Sequence, residues 1–424
     1  MLHFVKTVFL SLVFGIIAPS LVEADTIEVT LETIEKNFLE KNLFLLSSKY
    51  DVDISKAKII QAKLWENPNL FIDQNIYNQY TDKVFDVTKT GQTLIQVQQL
   101  FYLAGKRNKN VQLEKINSQL AEAQLYDILR TLKFELRTTY YDLFYKQQSL
   151  GMYNTQIQSL LKTVQIYRDQ YKNGNIPLKE VVRLQAFLTS LEMERKNLLF
   201  TISEDLSTLY TLTNDTIRPY YKATFNEAII RQFEPSTLIV DTLVSQAYLN
   251  RSDIKISEIN IQRAQQNLSV EKAYAYPDIR VGATWDRASN YIQNYYGVQV
   301  GIDIPMFNRN QGNIKVAEYY LDKAKMEHTL SQNSVQNEVL NAYRQVLIVD
   351  DIFHLNNDTY KAQFETLING IIVNYQKRNI ELIEFIDFYE SYKTNVIQLH
   401  QLNTERMNSI EFLNYSVGID VITY

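Results

Sequence analysis

The sequence predicts a mainly α-helical chain with a small β part, arranged as two tandem repeats of a strand pair followed by a long helical hairpin. Three features predict it: few turn-forming residues, long stripes of helical period, and an internal repeat. Gly (11) and Pro (7) are scarce among 424 residues, about 4% against an average of about 12%. Such a chain has few places to turn. With 43 basic and 48 acidic side chains, a net charge of -5, no basic excess points to nucleic acid or to a polybasic membrane contact. The absence of cysteine excludes disulfides and thiolate chemistry, and a mean hydropathy of -0.24 is too polar for a polytopic helical membrane protein.

In chain order, residues 1–24 read as a signal peptide. His3 and Lys6 precede an apolar run from Val8 to Ala18, and Val22-Glu23-Ala24 places small or apolar residues at the two positions a signal peptidase reads, leaving Asp25 first. The alternative, an anchor helix, needs roughly 20 apolar residues, and the run is shorter. The first repeat, residues 25–213, then opens on strands at about 70–80 and 92–102, where Ile72 and Ile76 and then Thr93, Ile95, Val97 and Phe101 alternate with polar neighbours. Long helices follow at about 106–172 and 178–213. Leu113, Ile116, Leu120, Leu129, Leu132 and Leu136 begin a stripe spaced mostly by three and four that runs on to Tyr171, with Gly151 marking a bend.

A linker at 214–250 leads to the second repeat, residues 251–424. Its strands are expected at about 278–287 and 296–306: Ile279, Val281, Ala283 and Trp285 alternate with Arg280, Gly282, Thr284 and Asp286, and Val298, Val300, Ile302 and Ile304 with Gln299, Gly301 and Asp303. Helices are expected at about 312–374 and 380–417. Residues 313–369 contain neither Gly nor Pro, and their 57 positions as one helix would reach roughly 85 Å. Ala317, Leu321, Ala324, Val335, Val339, Tyr360, Phe364 and Tyr375 carry the apolar stripe. The repeat itself is visible when Tyr171-Lys-Asn-Gly-Asn-Ile-Pro-Leu-Lys-Glu is laid on Tyr375-Gln-Lys-Arg-Asn-Ile-Glu-Leu-Ile-Glu at an offset of 204.

Each strand is about ten residues long and bounded by aromatics such as Tyr77, Tyr80, Trp285, Tyr291, Tyr295 and Phe307, the length and flanking of an outer-membrane strand. Surface hairpins packed on the helices of a soluble protein are the alternative. Four strands cannot close a barrel, and open edges are forbidden in lipid, so a spanning version must pool strands from several chains. Three chains would supply twelve.

Signal peptide, strand pair, long helix, tip and returning helix, repeated, together with Ile304-Pro-Met-Phe-Asn-Arg-Asn-Gln-Gly312 and the two aligned tips, resemble the TolC-like outer membrane efflux protein family over the whole mature chain. The 304–312 segment looks closer to the heavy-metal branch of the CzcC and CusC type. Asn250-Arg-Ser-Asp-Ile254 looks like the family's Arg-Pro-Asp-Leu, with Ser252 in place of the proline.

The resemblance implies a homotrimer that forms a twelve-stranded β-barrel in outer membrane lipid, continued by an α-helical tunnel across the periplasm. It would be the passive exit duct of a tripartite efflux system, served by a periplasmic adaptor and an inner-membrane pump of RND type. The resemblance also assigns sites. Tyr375, Glu384 and Asp387 stand where the family has its periplasmic gate, and Gly174, Asn175, Ile176, Leu178, Arg378, Asn379, Ile380 and Leu382 stand at the adaptor-contacting tips, with Ile176, Leu178, Ile380 and Leu382 expected to be exposed.

No catalytic constellation, cofactor motif or metal cluster is apparent: His328, His354 and His400 lie in helical stretches without a nucleophile or carboxylate at a suggestive spacing, and read as structural or surface residues. A soluble periplasmic coiled-coil adaptor or scaffold is the alternative function. It should show one hairpin flanked by Gly-rich β-domains, whereas this sequence shows two hairpins, each behind its own strand pair.

Overall fold

The computed structural model describes residues 26–228, 233–289, 292–355 and 358–422. The expected leader, Asp25 and Tyr291 lie outside these residues, as do the side chains of Tyr360 and Phe364. The first strand, β1 (Thr26–Val29), leads into helices α1 (Leu31–Lys41) and α2 (Leu43–Ala62). Asn42 makes the joint between them: its Oδ1 accepts from Leu45 N at 2.9 Å and caps α2, while its Nδ2 donates to Leu212 O at 2.8 Å. Strands β2 (Asn69–Gln74), β3 (Tyr77–Asn78), β4 (Lys83–Val84) and β5 (Thr93–Phe101) precede α3 (Lys106–Lys172) and α4 (Leu178–Thr213). The 67 residues of α3 extend about 100 Å.

The stretch expected as a linker carries β6 (Tyr220–Ala223) and α5 (Val240–Asn250). β6 pairs in parallel with β1, and the Tyr140 hydroxyl donates to Thr224 O at 2.6 Å and Val29 O at 3.1 Å. This ties the N-terminal segment to the waist of α3, where Leu136, Tyr140, Tyr141 and Leu143 are buried against Ile34 and Phe38. A partly buried ion cluster lies beside them. Arg137 reaches Glu35 at 2.5 Å, Asp420 at 2.9 Å and Glu411 at 3.1 Å, so one guanidinium holds α1, the C-terminal segment and the last helix together.

The second half runs α6 (Ser252–Tyr274), β7 (Ile279–Ala288), β8 (Gln293–Ile302), α7 (Gln311–Leu355), α8 (Asp358–Gln376) and α9 (Leu382–Val417). Several boundaries differ from expectation. The strand expected over 70–80 ends at Gln74, and the chain turns off into the small β3–β4 hairpin. The strand expected over 296–306 occupies Gln293–Ile302. Ile304 keeps the alternation but precedes Pro305, which has no N–H to give a ladder. The helix expected over 312–374 is described as α7 and α8, with 356–357 outside the described residues.

Strands β2, β5, β7 and β8 form one antiparallel sheet in that order. The register sorts its side chains by face, because directly paired residues share a side and neighbours along a strand alternate. One face carries the rows Leu70–Val97–Ala283–Val298, Ile72–Ile95–Trp285–Tyr296 and Phe101–Ile279–Ile302. The other carries Asn69–Gln98–Gly282–Gln299, Phe71–Gln96–Thr284–Gly297 and Leu100–Arg280–Gly301. The first is apolar and open to the surroundings along β8, where Val298 and Val300 are exposed. The second is predominantly polar, with Phe71, Leu94, Leu100 and Tyr295 among its Gln, Thr, Asp, Arg and Gly residues, and is stitched by Gln299 to Thr284 and by an Arg280–Asp303 ion pair at 2.7 Å. Gly282, Gly297 and Gly301 all lie on the polar face; a Cβ at Gly282 would stand 2.9 Å from Val97 O. Small residues gathered on one face let a sheet curl toward it.

Among the described residues no helix is long and apolar enough to cross a membrane.

Candidate functional site: the paired helix reversals

At the end of the helices remote from the sheet, the chain reverses twice with one geometry. In the first reversal Gly174 N donates to Tyr171 O at 2.9 Å and Asn175 N to Gln170 O at 2.9 Å. In the second Arg378 N donates to Tyr375 O at 3.0 Å and Asn379 N to Asn374 O at 2.9 Å. Both are Schellman motifs, closed by the next residue's side-chain amide: Asn175 Nδ2 on Gln170 Oε1 at 2.7 Å, Asn379 Nδ2 on Asn374 Oδ1 at 3.1 Å. The motif requires a left-handed residue, which is Gly174 (φ 74°) in one repeat and Arg378 (φ 64°) in the other. Gly adopts that conformation freely, whereas for Arg it costs about 1 kcal/mol or more. In return Arg378 Nη2 reaches Gln170 Oε1 at 3.3 Å and links the two tips.

Repeat-mates at the tips have opposite surroundings. Leu178 is 51% exposed and Leu382 only 8%; Tyr171 is 42% exposed and Tyr375 only 1%. Ile176 and Ile380 are half-buried against the tip core. Of the four apolar residues expected to be exposed, Leu178 alone presents an open side chain, and Leu382 belongs to the core. That core draws on α3, α4, α8 and α9 together, so a hairpin's apolar residues are covered where the sister hairpin lies against them and left open elsewhere.

Tyr375 is the centre of an aromatic stack. Its ring lies 4.1 Å from Phe385 and 4.9 Å from Tyr167, nearly parallel to both. Burial pushes its hydroxyl pKa well up, and the neighbouring Tyr167 hydroxyl adds to the shift. Glu384 and Asp387 lie on the other side of α9 from Phe385, both exposed, three residues apart on one helical face. Among the described residues neither has a cationic partner within 4.0 Å. A cleft of about 530 Å³ separates the reversals, floored by Tyr167 and Tyr375 and rimmed by Glu180, Arg183, Arg378 and Glu381.

Sequence reasoning missed the clamp above the tip. Lys393, nearly buried, reaches Glu390 at 2.7 Å and Glu194 at 3.0 Å, and the Tyr153 hydroxyl donates to Glu194 at 2.9 Å. Burial works against the Lys393 ammonium, but hydrogen bonds to both carboxylates outweigh it and raise its pKa. The clamp joins residues about 200 positions apart, which no local spacing reveals. Among the described residues no group of three His, Cys, Asp or Glu side chains stands in metal-ligand geometry.

A sheet with one apolar and one polar face, carried on a helical shaft about 100 Å long, is a wall segment of a membrane channel with an extended helical conduit. The chain belongs to the outer membrane efflux protein family, whose model matches residues 36–215 and 243–367. It is similar to the cobalt-zinc-cadmium resistance protein CzcC of Cupriavidus metallidurans, with 20% identity over 360 residues, 85% of this chain and 82% of that protein. Among solved structures, CusC matches with a TM-score of 0.72 over 92% of both chains at 16% identity. The CmeC outer membrane channel of Campylobacter jejuni matches with 0.74 over 93% of this chain and 87% of that one at 13% identity. The protein is an exit channel of the outer membrane, with a large periplasmic helical portion, serving efflux. The alternative of a soluble periplasmic adaptor or scaffold falls with that membership.

Proposed function

We propose that three copies of this chain close one wall of twelve strands, and that the resulting duct passively releases heavy-metal cations handed to it through a periplasmic adaptor by an inner-membrane pump of RND type. The two-faced sheet carries the reading. Among the described residues β2 and β8 have no further strand beside them, and open edges next to an apolar face are untenable in lipid. Copies placed side by side satisfy both edges and turn the polar face inward. The repeats, 25–213 and 251–424 joined by 214–250, each give one strand pair and one hairpin. No reaction is catalysed. The cargo assignment rests on the likeness to a protein named for cobalt, zinc and cadmium resistance.

At the tips, the open Leu178 side chain with the Gly174–Asn175 and Arg378–Asn379 reversals, flanked by the half-buried Ile176 and Ile380, is the surface offered to the adaptor. Glu384 and Asp387, repeated threefold, form two rings of carboxylates that favour cations at the entrance. The Tyr375 stack holds α8 and α9 in the closed arrangement. Like charges crowded in a ring repel, so adaptor contacts have only to tip an already strained balance.

Single-channel recording of the Glu384→Ala, Asp387→Ala double variant tests the gate. Loss of cation preference and of divalent block is expected; unchanged values remove the pair from the gate. Native mass spectrometry of the detergent-extracted outer membrane fraction tests the assembly, with a mass of three chains expected and a single-chain mass refuting it.

A further inference from the structure

We propose that the loop joining β2 to β5, residues 75–92, is a lipid-docking surface lying in the outer leaflet against the outside of the barrel rim. The proposal rests on the barrel reading above and adds a surface to it.

The loop is built inside out. Asp86, 2% exposed, sits at its centre. It accepts hydrogen bonds from Thr88 Oγ1 at 2.5 Å, from Thr81 Oγ1 and Thr90 Oγ1 at 2.9 Å, and from Thr88 N and Asn78 Nδ2 at 3.0 Å. Asn78, also buried, donates further to Thr90 O at 2.9 Å and accepts from Tyr80 N at 3.1 Å. Gly91 closes the knot so tightly that a Cβ would stand 1.5 Å from Asp86 O. The larger apolar side chains stay outside this knot: Tyr80 is 91% exposed, and Ile76, Val84, Phe85 and Val87 are open as well. A loop in water gains by the reverse arrangement. A satisfied polar centre beneath an exterior where apolar and aromatic groups mix with the exposed Gln79, Asp82, Lys83, Thr88, Lys89 and Thr90 suits the boundary between hydrocarbon and headgroups.

The loop's attachment says which side of the wall it is on. Arg287 lies on the apolar face, since its guanidinium stands 5.2 Å from the ring of Trp285, two residues away on the same strand. Arg287 Nη1 donates to Val87 O at 2.5 Å and Thr88 O at 3.3 Å. Gln74, which shares the apolar face by its pairing with Thr93, donates to Asp86 O at 3.4 Å. These two anchors rise from the lipid side of the sheet, whereas Gln92, where the loop rejoins β5, donates to Asp286 on the polar face at 2.9 Å; the body of the loop, held through Asp86, Val87 and Thr88, therefore continues the lipid-side surface. Lys83 and Lys89 are exposed among its apolar groups and suit the phosphates of lipid headgroups, with Tyr77 and Tyr80 at the depth where amphipathic rings settle.

The chain has no cysteine, so single labels are clean. Val84→Cys and Val87→Cys would each carry a nitroxide in vesicles of phosphatidylethanolamine and phosphatidylglycerol. Val300→Cys serves as the wall-side reference and Gln98→Cys as the polar-face reference. The readout is collision with oxygen relative to a water-soluble nickel chelate. Labels at 84 and 87 are expected to match the ratio at 300 within about twofold, with the inverse ratio at 98. An aqueous ratio at 84 and 87 alongside a lipid ratio at 300 overturns the docking surface and leaves the barrel standing. Spin–spin broadening at 84 also overturns it, because three loops would then meet over the mouth. An aqueous ratio at 300 itself rejects the barrel and the proposal with it.

Discussion

Replacing Tyr375 by Ala removes a ring that is 1% exposed and stacked on two others. Truncating a buried aromatic costs about 3–5 kcal/mol through lost burial and the cavity left behind. The loss falls on the tip core, because the partners of Tyr375, Tyr167 and Phe385, belong to it, so local opening should become easier by that amount. Since about 1.4 kcal/mol is tenfold, amide exchange across residues 371–389 is expected to accelerate about a hundredfold or more, up to the limit set by global unfolding. The waist of α3 around Tyr140 and Leu136 lies in a separate core cluster and should keep its protection. Tyr375→Phe keeps the stack and should exchange within about fivefold of the parent. The assay is hydrogen exchange read by mass spectrometry on the reconstituted protein. If the Ala variant exchanges within twofold of the parent at the tip, the stack does not hold α8 and α9 together and the closed-state role given to Tyr375 fails.

Two further outcomes follow from other parts of the molecule. Gly151 sits inside α3 with nothing within 4 Å of where a Cβ would be, so Gly151→Ala should stabilise the helix by about 1 kcal/mol, read as slower exchange around residue 151; faster exchange would show that the glycine is needed. Burial pushes the Glu411 carboxyl up to about 7 even though Arg137 opposes the shift. A raised folded-state value means its contribution to stability is full below the unfolded value near 4.5 and is lost as pH rises through about 7. Thermal unfolding of the Glu411→Gln variant should therefore lack part of the parent's decline between pH 5 and 8, and an unchanged profile would place the titration elsewhere.

Much of this architecture is written in local pattern. Alternation at Ile279–Asp286 marks a strand because the sheet's two faces meet different solvents, and the tips announce themselves because Asn and Gly end helices whatever surrounds them. Other features are decided by the tertiary neighbour alone. Leu178 and Leu382 occupy equivalent places in the repeat, yet one is open and the other is core; Tyr171 and Tyr375 differ in the same way. The repeat supplies the residue, and the packing of hairpin on hairpin supplies its surroundings. Ile304 misleads for the opposite reason, since its side chain fits the alternation while Pro305 denies the backbone its ladder. The Arg137 cluster and the Lys393 clamp join residues separated by up to 283 and 199 positions, and nothing in either neighbourhood foretells them. Arg378 in a left-handed turn is invisible without its glycine mate 204 residues earlier.

The shared wall is most directly tested at the two open strands. With Ile72→Cys on β2 combined in turn with Tyr296→Cys, Val298→Cys, Val300→Cys or Ile302→Cys on β8, mild oxidation of intact outer membranes is expected to yield covalent dimers and trimers from at least one pair, resolved on denaturing gels and collapsed by reductant. Failure of every pair to cross-link between chains, in a protein recovered as a water-soluble monomer, would contradict the account.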